Sequence, residues 1–142
     1  MPLEEILQLE TSASPTELGH IRQEVAAACL KLGFAQRDID AIVLAIDEAC
    51  TNIIRYAYKD CNKGNVTLEI LSDGKQAIFR LHDEAPKSPR DCLKLKKIDL
   101  TKPGGLGVML MRQVMDWVGF VDTKASCGNI LELKKKLPLE TQ

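Results

Sequence analysis

Three polar residues interrupt the longest apolar-periodic segment of this chain. In DEACTNIIRYAYKD, Asp47 to Asp60, Glu48 and Asn52 stand at i and i+4, and Arg55 follows three residues later. At 100° per residue, Asn52 and Arg55 fall within about 40° of Glu48 on a helix surface. A carboxylate beside a carboxamide oxygen is a pair of hard donors suited to Mg²⁺, directly or through water. The same carboxylate could take a proton from an attacking hydroxyl or water. The spacing is equally that of an exposed helix edge with an intrahelical Glu48–Arg55 or Asn52–Arg55 contact. E-x-x-x-N alone leaves both readings open.

Two other stretches carry chemistry. GGLG, Gly104 to Gly107, follows Lys102-Pro103 and opens directly into an apolar helical pattern. Glycines there let the backbone approach a phosphate, and a helix N-terminus supplies oriented N–H groups and partial positive charge. The stretch lacks G-K-[ST], so it is not a Walker loop; a flexible glycine-rich helix start is the other reading. Asp83 closes a predicted strand. A carboxylate held there can accept a hydrogen bond from an exocyclic amine such as that of adenine, or it can start the turn into Ala85-Pro86. His82 alternates with Asp83 and is expected on the opposite side of the sheet, as a surface or packing residue.

The elements that must position these groups follow from periodicity. Ile6 to Leu9 predicts a first strand. Ser14, Pro15 and Glu17 spell a helix start, Leu18, Ile21, Val25, Cys29 and Leu32 follow at helical spacing, and Gly33 ends the segment. A second helix is predicted from about Asp38 to Tyr58, with Ile39, Ile42, Val43, Ile46, Cys50, Ile53 and Ala57 as its stripe. Val66, Leu68 and Ile70 alternate with polar residues, SDGK (Ser72 to Lys75) is turn chemistry, and Ala77, Phe79 and Leu81 alternate again. From Glu84 to Pro103 the pattern breaks into prolines and lysines, as in a functional loop. A third helix carries Val108, Met111, Met115 and Val118. A last hairpin runs from Phe120 to Ala125, turns at SCGN and returns from Ile130 to Leu137. This order predicts an α+β fold: a two-layer sandwich, one mixed sheet of about five strands with three helices on one face.

Length and charge narrow the classes. The 142 residues suit one domain, 1–142, able to bury its own core. A formal net charge of −1 supplies no global field for nucleic acid or an anionic membrane. Lys134 to Lys136 form the densest basic run, expected as a solvated strand end. The five cysteines include no CxxC pair, which argues for reduced thiols rather than a zinc cluster. MPLEEILQLE has no apolar core of a signal peptide, and the apolar run Ala41 to Ile46 is too short to cross a bilayer. The expected location is the cytoplasm.

The motifs occur in one order: Glu48-x-x-x-Asn52 on a helix, a hairpin ending in Asp83, a long loop, then the glycine loop opening a helix. In this order the sequence resembles the ATP-binding superfamily shared by gyrase, the heat-shock chaperone ATPase, histidine kinases and mismatch-repair ATPases. LAIDEACTNIIRYAY and GGLGVMLMRQVMD look most like the small anti-sigma-factor serine kinases of bacteria, and the resemblance covers nearly the whole chain. It implies the Bergerat-type fold, with Glu48 as general base, Asn52 as Mg²⁺ ligand and Asp83 as adenine anchor. Gly104, Gly105, Leu106 and Gly107 would border the phosphates, residues 84–103 would form the lid over ATP, and Arg55 would lie near the phosphates or a partner surface. Three positions depart from the family pattern. Ala85 and then Pro86 stand where a glycine usually follows the adenine Asp, Tyr56 stands where many relatives have His, and CGN (Cys127 to Asn129) stands where relatives often carry Thr.

The resemblance implies an ATP- and Mg²⁺-dependent protein serine/threonine kinase of the partner-switching type. Such a protein phosphorylates a STAS-type anti-anti-sigma protein and sequesters a sigma factor. A homodimer is a further expectation, with no direct nucleic-acid or membrane contact. The alternative is an ATP-binding, partner-binding module without phosphotransfer. The ATPase half of a sensor histidine kinase is disfavoured, because GHIRQE around His20 lacks the surroundings of an acceptor histidine.

Overall fold

A computed structural model of the chain describes residues 2–57, 64–86, 105–121 and 127–138. Five strands, β1 (Glu4–Ser12), β2 (Asn65–Ser72), β3 (Gln76–Pro86), β4 (Trp117–Val121) and β5 (Cys127–Lys136), form a sheet in the order β1-β2-β3-β5-β4. Three helices, α1 (Leu18–Lys31), α2 (Gln36–Asn52) and α3 (Gly105–Val114), complete the sandwich. The α+β layering is as the periodicity predicts. The sheet, however, is not mixed: all four pairings among the described residues are antiparallel. β2–β3 and β4–β5 are consecutive strands, which pair this way; β1–β2 and β3–β5 have helices between them in sequence and are antiparallel as well.

Side chains alternate across this sheet. Val66, Leu68 and Ile70 on β2, Ala77, Phe79 and Leu81 on β3, and Leu131 and Leu133 on β5 are buried in one cluster with the helix stripes Ile21, Val25 and Cys29, Ile39, Ile42, Ile46 and Cys50, and Met111. The other face is largely polar. Arg80 Nε donates to Glu132 Oε2 at 2.8 Å, and His82 Nε2 lies 2.8 Å from Glu69 Oε1. His82 is therefore on the face opposite Asp83. One face of the sheet is core and the other carries ion pairs, the pattern of an antiparallel sheet covered on one side.

Local signals set the ends of the elements. Ser14 accepts from the Thr16 N–H, and Pro15–Glu17 make one 3₁₀ turn before α1. Gly33 takes φ +91° after α1, where a β-carbon would strain the backbone. At the β2–β3 turn, Asp73 Oδ1 accepts from the N–H groups of Gln76 and Lys75 at 2.7 and 2.8 Å. Those donors hold its carboxyl below the ordinary 3.8, the Gln76 bond first. The folded value lies below the unfolded one, so this contribution is present above the unfolded pKa and is lost as pH falls through the folded one.

Several boundaries differ from the sequence expectation. β1 is longer than Ile6–Leu9, because main-chain pairing with β2 extends to residues whose side chains carry no apolar signal. β3 runs past Asp83 to Pro86, so the first three residues of the loop expected from Glu84 are strand; 87–104 lies outside the described residues, Gly104 included. The turn placed at SCGN is partly strand, since β5 begins at Cys127. Lys135 is not a solvated strand end. Its Nζ donates to the Val114 carbonyl at 2.8 Å and caps the C-terminus of α3.

The two described buried cysteines are core residues. Burial pushes the Cys29 thiol from 9.0 up to about 12; burial and then the neighbouring Asp47 carboxylate do the same for Cys50. Their thiolate fractions fall about a thousandfold, so iodoacetamide is expected to leave both unmodified in the folded chain and to label both after unfolding. Peptide mapping by mass spectrometry checks this; prompt native labelling at Cys50 would contradict its placement.

Candidate functional site

The helix that carries Glu48 and Asn52 is the middle one. α2 packs against α1 on one flank and α3 on the other, so the glycine-led helix and the Glu48 helix are direct neighbours. Ile39, Ile42, Ala45, Ile46, Ala49 and Cys50 bury its inner stripe. Asp47 points to α1, where Arg22 Nη1 meets its Oδ1 at 2.7 Å. Glu48, half-buried, has no hydrogen bond or ion pair with another described residue. Two adjacent carboxylates thus have different circumstances, one bridging helices and one uncommitted.

Asn52 is the last residue of α2. Its Oδ1 is buried and has no hydrogen-bond partner among the described residues. Leaving a buried amide oxygen unpaired costs about 1–3 kcal/mol, and such groups are rare in folded chains. A hard oxygen donor in that condition fits a divalent cation such as Mg²⁺, which takes one or two side-chain ligands and completes its shell with water and phosphate oxygens.

Arg55 departs from the predicted line. After Asn52 the chain does not continue as α-helix but makes a π turn, Ile53–Ala57. Each residue of a π turn advances the chain by less than 100° about the axis, so Arg55 lags the position that α geometry assigns to it. Ile53 and Ile54 are both buried in this turn. The turn also packs against β3, the strand that ends near Asp83. A π turn directly after a candidate ligand is a common device of functional sites, and apolar periodicity did not reveal it. Tyr58 lies outside the described residues.

Asp83 lies on the core side of β3 and is 8% exposed. Across the ladder it faces Asn129 of β5, whose Nδ2 donates to Asp83 Oδ1 at 3.0 Å. Beyond that pair the register shifts, with Pro86 opposite Cys127. The β-bulge takes up Glu84 and Ala85 on β3 and is answered by Gly128 at φ +91° on β5. A β-carbon at Gly128 would sit 3.0 Å from the Asp83 carbonyl oxygen. Gly128→Ala is therefore expected to destabilise the chain by about 1–2 kcal/mol, seen as a lower melting temperature; an unchanged melt would contradict the tight bulge. Asn129 was noted in the sequence only as a departure from Thr; its link to Asp83 needed the β3–β5 register.

Of the glycine stretch, Gly105, Leu106 and Gly107 form the first turn of α3. The first N–H groups of any helix lack intrahelical acceptors and face outward along the axis, which is the arrangement an anionic group requires. The structure thus joins the three motifs through α2: its side meets α3, and the π turn at its end meets β3.

A family model described as the histidine kinase-like ATPase domain matches residues 11–135. Among curated proteins, the chain is 31% identical over 125 residues to a serine-protein kinase RsbW of Bacillus licheniformis, covering 79% of this chain and 75% of that protein. It is 28% identical over 141 residues to the RsbW of Halalkalibacterium halodurans, covering 94% and 84%. Among solved structures, the RsbU and RsbW domains of a Mycobacterium tuberculosis protein superpose with TM-score 0.65 at 16% identity, over 96% of this chain and 32% of that one. The histidine kinase domain of a blue-light-activated kinase from Erythrobacter litoralis superposes with TM-score 0.57 at 21% identity, over 84% of this chain and 61% of that one. The two structures share the fold with this chain.

Proposed function

The chain belongs to the histidine kinase-like ATPase domain family, and we propose from its site that it is a protein serine/threonine kinase that uses ATP and regulates transcription by partner switching. The observation that carries this reading is the Asn52 Oδ1, one turn after Glu48, buried and without a hydrogen-bond partner among the described residues. It supplies a metal ligand beside a carboxylate that no other described residue engages. In this reading Asn52 would hold Mg²⁺, which when bound offsets the charge of the phosphates.

The chain's own residues do the rest. Glu48 accepts the proton of the acceptor hydroxyl as the phosphoryl group is transferred. Asp83 orients the base through its exocyclic amine. The first turn of α3, after Gly104, offers its N–H groups to the phosphates, with Arg55 beside them or at the partner surface. The lid expected over residues 84–103 overlaps the end of β3 at 84–86, and its remainder, 87–103, lies outside the described residues. Similarity to serine-protein kinase RsbW supports a protein substrate. We assign it to the STAS-type anti-anti-sigma class, with a sigma factor as the sequestered partner, in a single domain spanning 1–142 that acts in the cytoplasm. Among the described residues no helix is long and apolar enough to cross a membrane.

One observation favours a second reading, a binding module without phosphotransfer: β3 continues through Ala85 to Pro86 where family members place a glycine turn. Affinity capture from the native lysate separates the two. With Mg·ATP a sigma factor is expected on the chain and with ADP a STAS-domain protein; a set of partners indifferent to nucleotide would contradict partner switching.

A further inference from the structure

The β3–β5 register brings a second polar side chain onto Asp83, and that contact has a chemical consequence for base recognition. Asn129 stands directly opposite Asp83, and its Nδ2 donates to Asp83 Oδ1 at 3.0 Å. The approach is built into the backbone. Gly128, at φ +91°, leaves a β-carbon no ordinary room against the Asp83 carbonyl oxygen, so β5 lies as close to β3 here as glycine permits. Asp83 is 8% exposed, which leaves its carboxylate little solvent to orient it.

An ionised carboxylate only accepts hydrogen bonds, whereas a carboxamide donates from nitrogen and accepts at oxygen. The contact therefore dictates which way round Asn129 stands: nitrogen toward Asp83, oxygen away. It also constrains one oxygen of the Asp83 carboxylate in turn. A leucine at 129 could do neither.

We infer that Asn129 is a positioning residue for base recognition, holding Asp83 so that the site favours purines with a 6-amino group over those without one. This inference rests on the nucleotide-site reading given above. Asn129 acts through Asp83, so its influence must vanish when the ligand has no amine for Asp83 to meet. That coupling is what a merely structural residue does not show.

The test is calorimetric titration of the full chain with Mg·ATP and with the Mg²⁺ complex of purine riboside triphosphate, which lacks the 6-amine. Asn129→Leu is expected to weaken ATP binding about tenfold, as for loss of a hydrogen bond to a charged group, and to change purine riboside triphosphate binding less than about twofold. Asn129→Ala, which has no polar atom to offer Asp83, is expected to behave likewise, and it decides the matter if the leucine chain does not fold. Equal losses for both ligands, or no loss for either, would overturn the inference while leaving the nucleotide site intact. No binding of either nucleotide by the unsubstituted chain would overturn the nucleotide reading, and this inference with it.

Discussion

Replacing Glu48 by Gln is expected to lower phosphotransfer at least about a hundredfold while Mg·ATP affinity stays within about threefold. A positioned general base contributes roughly 10²–10⁴ in rate, and glutamine keeps the shape of the side chain while losing its capacity to take a proton. The residue next to it is the control. Asp47 is held by Arg22 across the α1–α2 seam at 2.7 Å, so Asp47→Asn should cost little rate, and little stability because Arg22 is about half exposed. Single-turnover transfer of labelled phosphate measures both. If Glu48→Gln retains full rate, or if Asp47→Asn is the slower of the two, the role given to Glu48 is wrong.

Asn52→Leu should separate stability from binding. Asn52 Oδ1 is buried and has no hydrogen-bond partner among the described residues, a condition that costs about 1–3 kcal/mol. Leucine keeps the branch at Cγ, though it is larger, and has no polar atom to satisfy. Asn52 is only half-buried as a residue, so the substituted chain is expected to melt at the same temperature as the parent or a few degrees higher. Its response to nucleotide should disappear. A ligand at a hundred times its dissociation constant stabilises a folded chain by about 2.7 kcal/mol; Mg·ATP should raise the melting temperature of the parent and not of Asn52→Leu. Calorimetry with and without Mg·ATP gives both numbers. A variant that is clearly less stable yet still stabilised by Mg·ATP would show that Asn52 is a structural residue.

Asn52 and Glu48 were legible in the sequence because the α-helical period reaches as far as Asn52, and i, i+4 residues share a face whatever surrounds them. Arg55 was misplaced for a specific reason. The chain turns π-helical at Ile53–Ala57, and a 3.6-residue period carries no trace of it. Asp83 is expected at the end of its strand, but β3 continues to Pro86, and the environment of Asp83 is not legible in sequence. The bulge opposite Gly128 and the Asn129 contact depend on the pairing of β3 with β5, strands separated by more than forty residues. Turn chemistry misleads at SCGN: glycine and asparagine signal a turn, and here Gly128 is the single residue opposite the bulge and Asn129 a strand residue. Lys135 failed similarly, since sequence cannot show that a helix terminus lies within reach of its amine.

The central claim is that this site transfers phosphate to a protein hydroxyl. The most direct measurement incubates the purified chain with γ-labelled Mg·ATP and the STAS-domain protein captured from the same organism, then locates the label by mass spectrometry. The account predicts stoichiometric label on a serine or threonine of that partner, dependent on Mg²⁺ and lost in Glu48→Gln. Tight Mg·ATP binding with no label on any partner hydroxyl would contradict it.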